Sequence, residues 1–354
     1  MTKLAKSARI LRICSIMVLF SVIYLYIGSC TCSEDKPTVV PPPEGIDAET
    51  FTIYDAGDHP GNPRIGHNAV IFSDKGDIYG FDLTKEEVFP VCKDDGDQEY
   101  PAISDDNIIW IDHRNGVNTY DIYGYDLSDD EEVLITSISN PTGPWRGPNI
   151  DGDIIAWEDD QEGWWDKYGY DIRGFNIAAG NEFIICNNPA NQSCPKVGDN
   201  IVVWTDFRNG NGDIYGFNVS TEEEFPICTN EAYQGWADIC GGIVVWEDER
   251  NGNVDIYGYN FSTGTEFPVC IEPHNQNKPM VSGDIVVWED ERHSWWEEEP
   301  NYWFYGYDIS AEEEFPITGY DSISGIALQD FSNDIIVYYD MGGESWKIMG
   351  IRLP

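Results

Sequence analysis

Basic residues are scarce in this chain. Twenty Lys and Arg stand against 64 Asp and Glu among 354 residues, a net charge of −44. Nucleic acid and anionic lipid are thereby excluded as direct partners of the folded part, because affinity for phosphate comes mostly from Lys and Arg. Histidine is scarcer still. His59, His67, His113, His274 and His293 show no HExxH and no zinc-ligand spacing. A G-x-S-x-G elbow, a P-loop and a dinucleotide fingerprint are all missing. No apolar run approaches the roughly 20 residues of a membrane span. The nearest is residues 13–27, and no segment after it carries a helical period. Carboxylates are so numerous that a glycosidase pair could be assembled anywhere, so their presence says little. No cofactor, no metal and no catalytic residue is expected.

What the chain has is repetition. IVVWTDFRNGNGDIYGFNVSTEEEFPIC from Ile201 recurs as IVVWEDERNGNVDIYGYNFSTGTEFPVC from Ile243. Looser copies begin at Asn68, Asn107, Ile154, Ile285 and Ile335, and successive starts lie 39 to 50 residues apart. Several short strands per unit at that period read as a β-propeller. In the fifth unit, residues 236–240 form the inner strand and residues 243–248 the second. An Asn-Gly hairpin leads to the third strand, DIYGYNF, and EFPVC is the outer strand. The Gly at the centre of DIYGY leaves room beside the backbone, and the expected occupant is a Trp of an adjacent blade.

Counting strands fixes the ends. The seventh unit stops after its third strand, while ETFTIYD (residues 49–55) precedes the first unit without a blade of its own. Pairing the two would close the ring and leave no exposed edge. The expected fold class is therefore all-β: a seven-bladed β-propeller of four-stranded blades over residues 49–354, the N-terminal strand completing the last blade.

The unit W-x-D-x-R-N-G-x-D-I-Y-G-Y/F-D/N, read from Trp204 to Asn218, from Trp246 to Asn260 and with a longer turn from Trp110 to Asp126, resembles the TolB-like β-propeller repeats. It is most similar to the repeat arrays of archaeal, especially methanogen, cell-surface proteins. The resemblance covers residues 49–354. It implies a binding platform and carries no shared catalytic motif.

Residues 1–30 read as a signal peptide or membrane anchor, with Lys3, Lys6, Arg9 and Arg12 ahead of the apolar run. Ile27-Gly28-Ser29-Cys30 resembles a lipobox in which Cys30 would carry the lipid; an uncleaved anchor and ordinary cleavage are the alternatives. Residues 31–48, with Pro41-Pro42-Pro43, form a semi-rigid linker. The leader holds four of the 20 basic residues and no acid, so the remaining 16 against 64 acids leave the rest at −48. Salt adaptation accounts for such acidity as readily as ligand choice does. An extracytoplasmic, membrane-tethered, monomeric protein is expected, touching the membrane only through its anchor.

Six cysteines follow the linker. Cys186 and Cys228 end outer strands, and Cys194 and Cys240 lie on the next inner strands, so disulfides Cys186–Cys194 and Cys228–Cys240 are expected. Buried free thiols are the alternative. Asp206, Asp248 and Asp290 share one repeat position and Arg208, Arg250 and Arg292 another, which suits structural ion pairs better than catalysis.

Departures from the repeat point to function. The second-to-third-strand loops and the loops into the next blade share one face, and nearly all insertions fall there. They bring Trp145, Trp164, Trp165, Trp236, Trp295, Trp296, Tyr302 and Trp303. Exposed rings beside carboxylates suit recognition, and these eight are the candidate ligand-binding residues. The expected function is a non-catalytic surface propeller recognising a protein or glycan. An envelope glycosidase or lyase using channel carboxylates, and a purely structural component, are the alternatives.

Overall fold

The computed structural model describes residues 45–57, 59–66, 68–116, 119–138, 146–159, 169–292, 303–318, 325–343 and 345–354. These residues form seven sheets, antiparallel except for one short added strand, and no helix. Each sheet is one blade of a β-propeller. The fifth, for example, runs Gln234–Cys240, Ile243–Asp248, Asp255–Asn260 and Thr265–Cys270 from channel to rim.

The ring closes as expected. Glu49–Gly57 lies antiparallel to Trp346–Arg352 and supplies the outer strand of the seventh blade. A second contact was not foreseen: Ile46–Asp47 runs parallel to Ile317 and Thr318 and extends the sixth blade to five strands. Ala48 between them is buried in one cluster with Ile317 and Ile351.

Second strands form the core between blades. Ile243–Asp248 and Ile154–Asp159 are buried at every position, as their unbroken apolar runs require. Trp110, Trp157, Trp204, Trp246 and Trp288 occupy one repeat position and are completely enclosed, with Phe72 in the first blade. Burial of such rings is the largest single hydrophobic contribution available to a chain of this composition.

The third-strand glycine does make room, but for a different ring. Gly80, Gly174, Gly216, Gly258 and Gly306 each face the outer-strand Phe of their own blade: Phe89, Phe183, Phe225, Phe267 and Phe315. A Cβ on Gly258 would come within 2.7 Å of the Phe267 ring. The Trp residues do pack in the clusters between blades, but the atoms nearest the glycine are those of the paired Phe, because directly paired residues on adjacent strands are the closest neighbours a sheet offers. In the seventh blade Phe51, carried by the N-terminal strand, covers Gly350.

Candidate binding site at the channel mouth

All seven inner strands line a central channel. Each of five carries a bulge at its third or nearby residue, where the register with the second strand slips. Asn62, Tyr100, Cys194, Trp236 and Lys278 sit at the slips with φ of 40°, 53°, 57°, 55° and 52°. The local sequence explains the bulge: Pro63, Pro101, Pro195 and Pro279 follow four of these residues and offer no N–H to the ladder. A left-handed conformation costs a non-glycine residue about 1 to 2 kcal/mol, so five in register are an expensive way to build a strand.

These five side chains converge. Together with Arg64, Arg146, Lys196, Asp238 and Gln329 they surround a cavity of about 310 Å³. It opens where the chain enters the inner strands, hence on the face that receives the insertions. A second cavity of about 290 Å³ lies at the opposite end, among the strand termini Ser104, Asp151, Ser332 and Asn333. The two ends differ in charge. Arg64, Arg146, Lys196 and Lys278 meet one lining carboxylate, Asp238, at the mouth, whereas Asp105, Asp151, Asp238 and Asp330 line the far end beside Arg64 and Lys196.

Three buried carboxylates hold the bulges from behind. Glu158 accepts the Cys194 N–H at 2.7 Å, Glu247 that of Lys278 at 2.8 Å and Glu289 that of Leu328 at 2.6 Å. Each reaches across from the second strand of the preceding blade. Burial pushes all three pKa values up, that of Glu247 to about 7 despite its hydrogen bond. Glu289 also meets the Lys278 ammonium at 3.1 Å, and Lys196 lies 3.6 Å from Asp238. Arg146 stacks on one face of Trp236, 4.0 Å from the ring centre, while 40% of the Trp236 surface stays exposed.

Of the candidate ligand-binding residues, Trp236 is the one placed at this mouth. Trp303 is not on a loop; it opens the strand Trp303–Asp308, opposite Asp290, and is buried. Trp145, Trp164, Trp165, Trp295, Trp296 and Tyr302 lie outside the described residues, as does Cys30. Sequence reading missed Arg64, Tyr100, Lys196 and Lys278 because it searched insertions rather than inner strands, and it passed over Arg146 because within its insertion it weighed only the aromatic Trp145. The signal was present: the sequence Gln-x-x-Pro opens three inner strands, at Gln98, Gln192 and Gln276, and its third position is Tyr100, Cys194 or Lys278.

The expected disulfides are not formed. Cys92, Cys186, Cys194, Cys228, Cys240 and Cys270 are all free. Cys186 and Cys228 end outer strands, whereas Cys194 and Cys240 line the channel. The width of a four-stranded blade, about 14 Å from three strand spacings, separates rim from channel and is far beyond disulfide reach.

Four of these thiols have another role. Arg208 clasps Asp206 through Nε at 2.8 Å and a terminal nitrogen at 2.7 Å, reaches Glu224 of the outer strand at 2.6 Å, and donates to Cys186 Sγ of the preceding blade at 3.2 Å. Its guanidinium lies 4.2 Å from the Tyr215 ring centre, and Trp204 Nε1 donates to Asp206 at 2.9 Å. The same clasp recurs at Arg250 with Cys228 and Arg292 with Cys270, and at Arg114 with Cys92 without the Nε bond. Cys ends an outer strand wherever the next blade carries this Arg. Burial would raise the Asp206 pKa, but its bonds from Arg208 and Trp204 hold it below the usual carboxylate range. Burial pushes the Cys92 thiol up to about 11 and those of Cys186 and Cys228 to about 12. Cys92, Asp94 and Glu132 lie close enough to hold a metal ion, yet Arg114 donates to all three.

No known protein family matches this sequence, and no curated protein matches it. Solved structures do match its fold. Oligogalacturonate lyase from Vibrio parahaemolyticus is similar at a TM-score of 0.59 and 14% identity, over 89% of this chain and 99% of that one. The β-propeller domain of the Trilobed protease from Pyrococcus furiosus, described as an open velcro topology, gives 0.61 and 13% over 84% and 94%. A putative TolB from Agrobacterium tumefaciens gives 0.46 and 12% over 64% and 89%, too distant to argue from. At these identities the likeness is one of fold: the chain is a seven-bladed β-propeller.

Proposed function

We propose that this protein is a non-catalytic binding propeller, exported and tethered at the cell surface, that recognises a protein or glycan with its insertion-bearing face. The observation that carries this reading is the ring of five left-handed bulges around the channel mouth. Backbone strain that repeats in register and delivers five different side chains to one cavity suits a recognition surface better than a structural requirement, since the strands would pair more simply without it. The basic leader and its 15-residue apolar run support export. Among the described residues no histidine lines the mouth, and burial raises the pKa of Cys194, the one thiol there.

The test combines pull-down and glycan-array profiling of full-length protein with a turnover screen against acidic and neutral polysaccharides. A retained partner that Trp236→Ala loses, without turnover, is the expected result. Depolymerisation that survives purification would replace the binder with an envelope carbohydrate-active enzyme. Retention of every partner by variants of both the mouth and the loop Trp residues would move recognition to another face.

A further inference from the structure

The charge at the mouth is opposite to that of the protein. Sixteen basic residues remain after the leader, and four of them, Arg64, Arg146, Lys196 and Lys278, line one cavity of about 310 Å³. The carboxylate facing the cavity with them, Asp238, already accepts the Val281 N–H at 2.9 Å. The acids behind the wall, Glu158, Glu247 and Glu289, each accept a bulge N–H; Glu289 also pairs with Lys278 at 3.1 Å and Asp238 with Lys196 at 3.6 Å, which leaves Arg64 and Arg146 as the cations without a carboxylate partner among the salt bridges of the described residues. In a molecule whose acidic surface repels anions at long range, a focused positive mouth is a filter that admits an anion only at close approach.

Resting on the reading that this face is the binding face, we infer that the mouth holds the carboxylate of a uronic acid residue at the end of an acidic oligosaccharide. The cations would take the carboxylate, and the open face of Trp236, with Arg146 stacked behind it, would take the C–H face of the sugar ring. Tyr100 brings a second ring to the wall. A volume at the lower end of small-ligand sites suits one or two sugar residues rather than a long chain. An acidic peptide fits less well. Peptides extend a sheet by pairing with a regular strand edge, and here the bulges at Asn62, Tyr100, Cys194, Trp236 and Lys278 interrupt those edges.

The experiment is titration calorimetry of full-length protein with a uronic acid disaccharide, with its neutral hexose counterpart and with a short acidic peptide. The acid disaccharide should bind at least about tenfold more tightly than the neutral one, and added salt should erode the difference. Lys196→Met should bring the two sugars close to parity. Trp236→Ala should weaken both, because it removes the stacking surface and leaves the cations. Circular dichroism and melting temperature identify any variant that has lost its fold, and Arg146→Gln then serves as a second charge variant. Equal affinity for the two sugars, or undiminished acid preference in both charge variants, overturns the assignment. Stronger binding of the peptide replaces the sugar acid with an acidic protein terminus. No binding of any probe, while a partner is still lost on changing the loop Trp residues, removes the mouth as the site and leaves the face intact.

Discussion

Replacing Arg208 with Met tests the clasp that repeats around the ring. Asp206 is fully buried, and in the native protein its charge is met by two side-chain bonds from Arg208, the Trp204 indole and the Arg208 backbone N–H. Met fills much of the aliphatic volume and leaves the last two donors in place. Removing one partner of a buried ion pair costs about 3 to 5 kcal/mol because the remaining charge is stranded. The retained donors favour the lower end, and the partly exposed Glu224 adds less than about 1 kcal/mol. A loss of about 3 kcal/mol at neutral pH is expected. Its pH dependence is the sharper criterion. In the native protein the lowered Asp206 pKa contributes stability that is present above the ordinary value near 4 and lost as pH falls through the folded value. Without the Arg208 side chain, burial is opposed only by the Trp204 indole and the backbone N–H, and the Asp206 pKa rises. The gap between native protein and variant should therefore be widest at neutral pH and narrow as pH falls through and below the ordinary carboxylate range. Melting followed by tryptophan fluorescence at several pH values measures it. Asp206→Asn combined with Arg208→Met should recover part of the loss. A constant gap across pH, or a double variant no better than the single one, would refute the stranded-charge account.

Other expectations follow from the same structure. Glu247→Gln keeps an acceptor for the Lys278 N–H but removes a carboxyl whose folded pKa of about 7 exceeds the unfolded value near 4.3; the native protein therefore loses stability between those values as pH rises, and the variant should gain on the order of 3 to 4 kcal/mol relative to it at pH 8 but nothing at pH 4, read from melting curves. Deleting residues 1–57 removes the outer strand of the seventh blade and the Phe51 cover on Gly350, so that form should melt far below one lacking only residues 1–44; equal melting points would contradict closure. Cys92, Cys186, Cys228 and Cys270 should resist a thiol reagent in the native state and react on unfolding, and mass spectrometry of exported protein should find no Cys186–Cys194 or Cys228–Cys240 link.

The fold was readable because the repeat is read seven times and each reading corrects the others. Closure in particular reduced to counting strands, and Phe51 in ETFTIYD occupies the place of Phe267 in TEFPVC. The cysteines were misread because proximity in sequence hides the width of a blade; their correlation with Arg in the following unit was visible but needed the register between blades to acquire meaning. The candidate site was harder to see. Left-handed φ at Tyr100, Trp236 or Lys278 arises from the slip between two paired strands, and only the Pro that follows most of them leaves a trace in the sequence. Convergence of Arg64, Arg146, Lys196 and Lys278 is a property of the closed ring, since they come from four different blades.

The parallel strand Ile46–Asp47 changes what the N-terminal junction does under load. A chain held by its N-terminus and pulled through the propeller would meet the two-residue pairing on the sixth blade before the nine-residue strand Glu49–Gly57 that closes the seventh. The first contact can yield and re-form while the ring stays shut. Tension would reach the latch only after that short pairing is spent, so the junction behaves as a mechanical fuse in series with the clasp it protects.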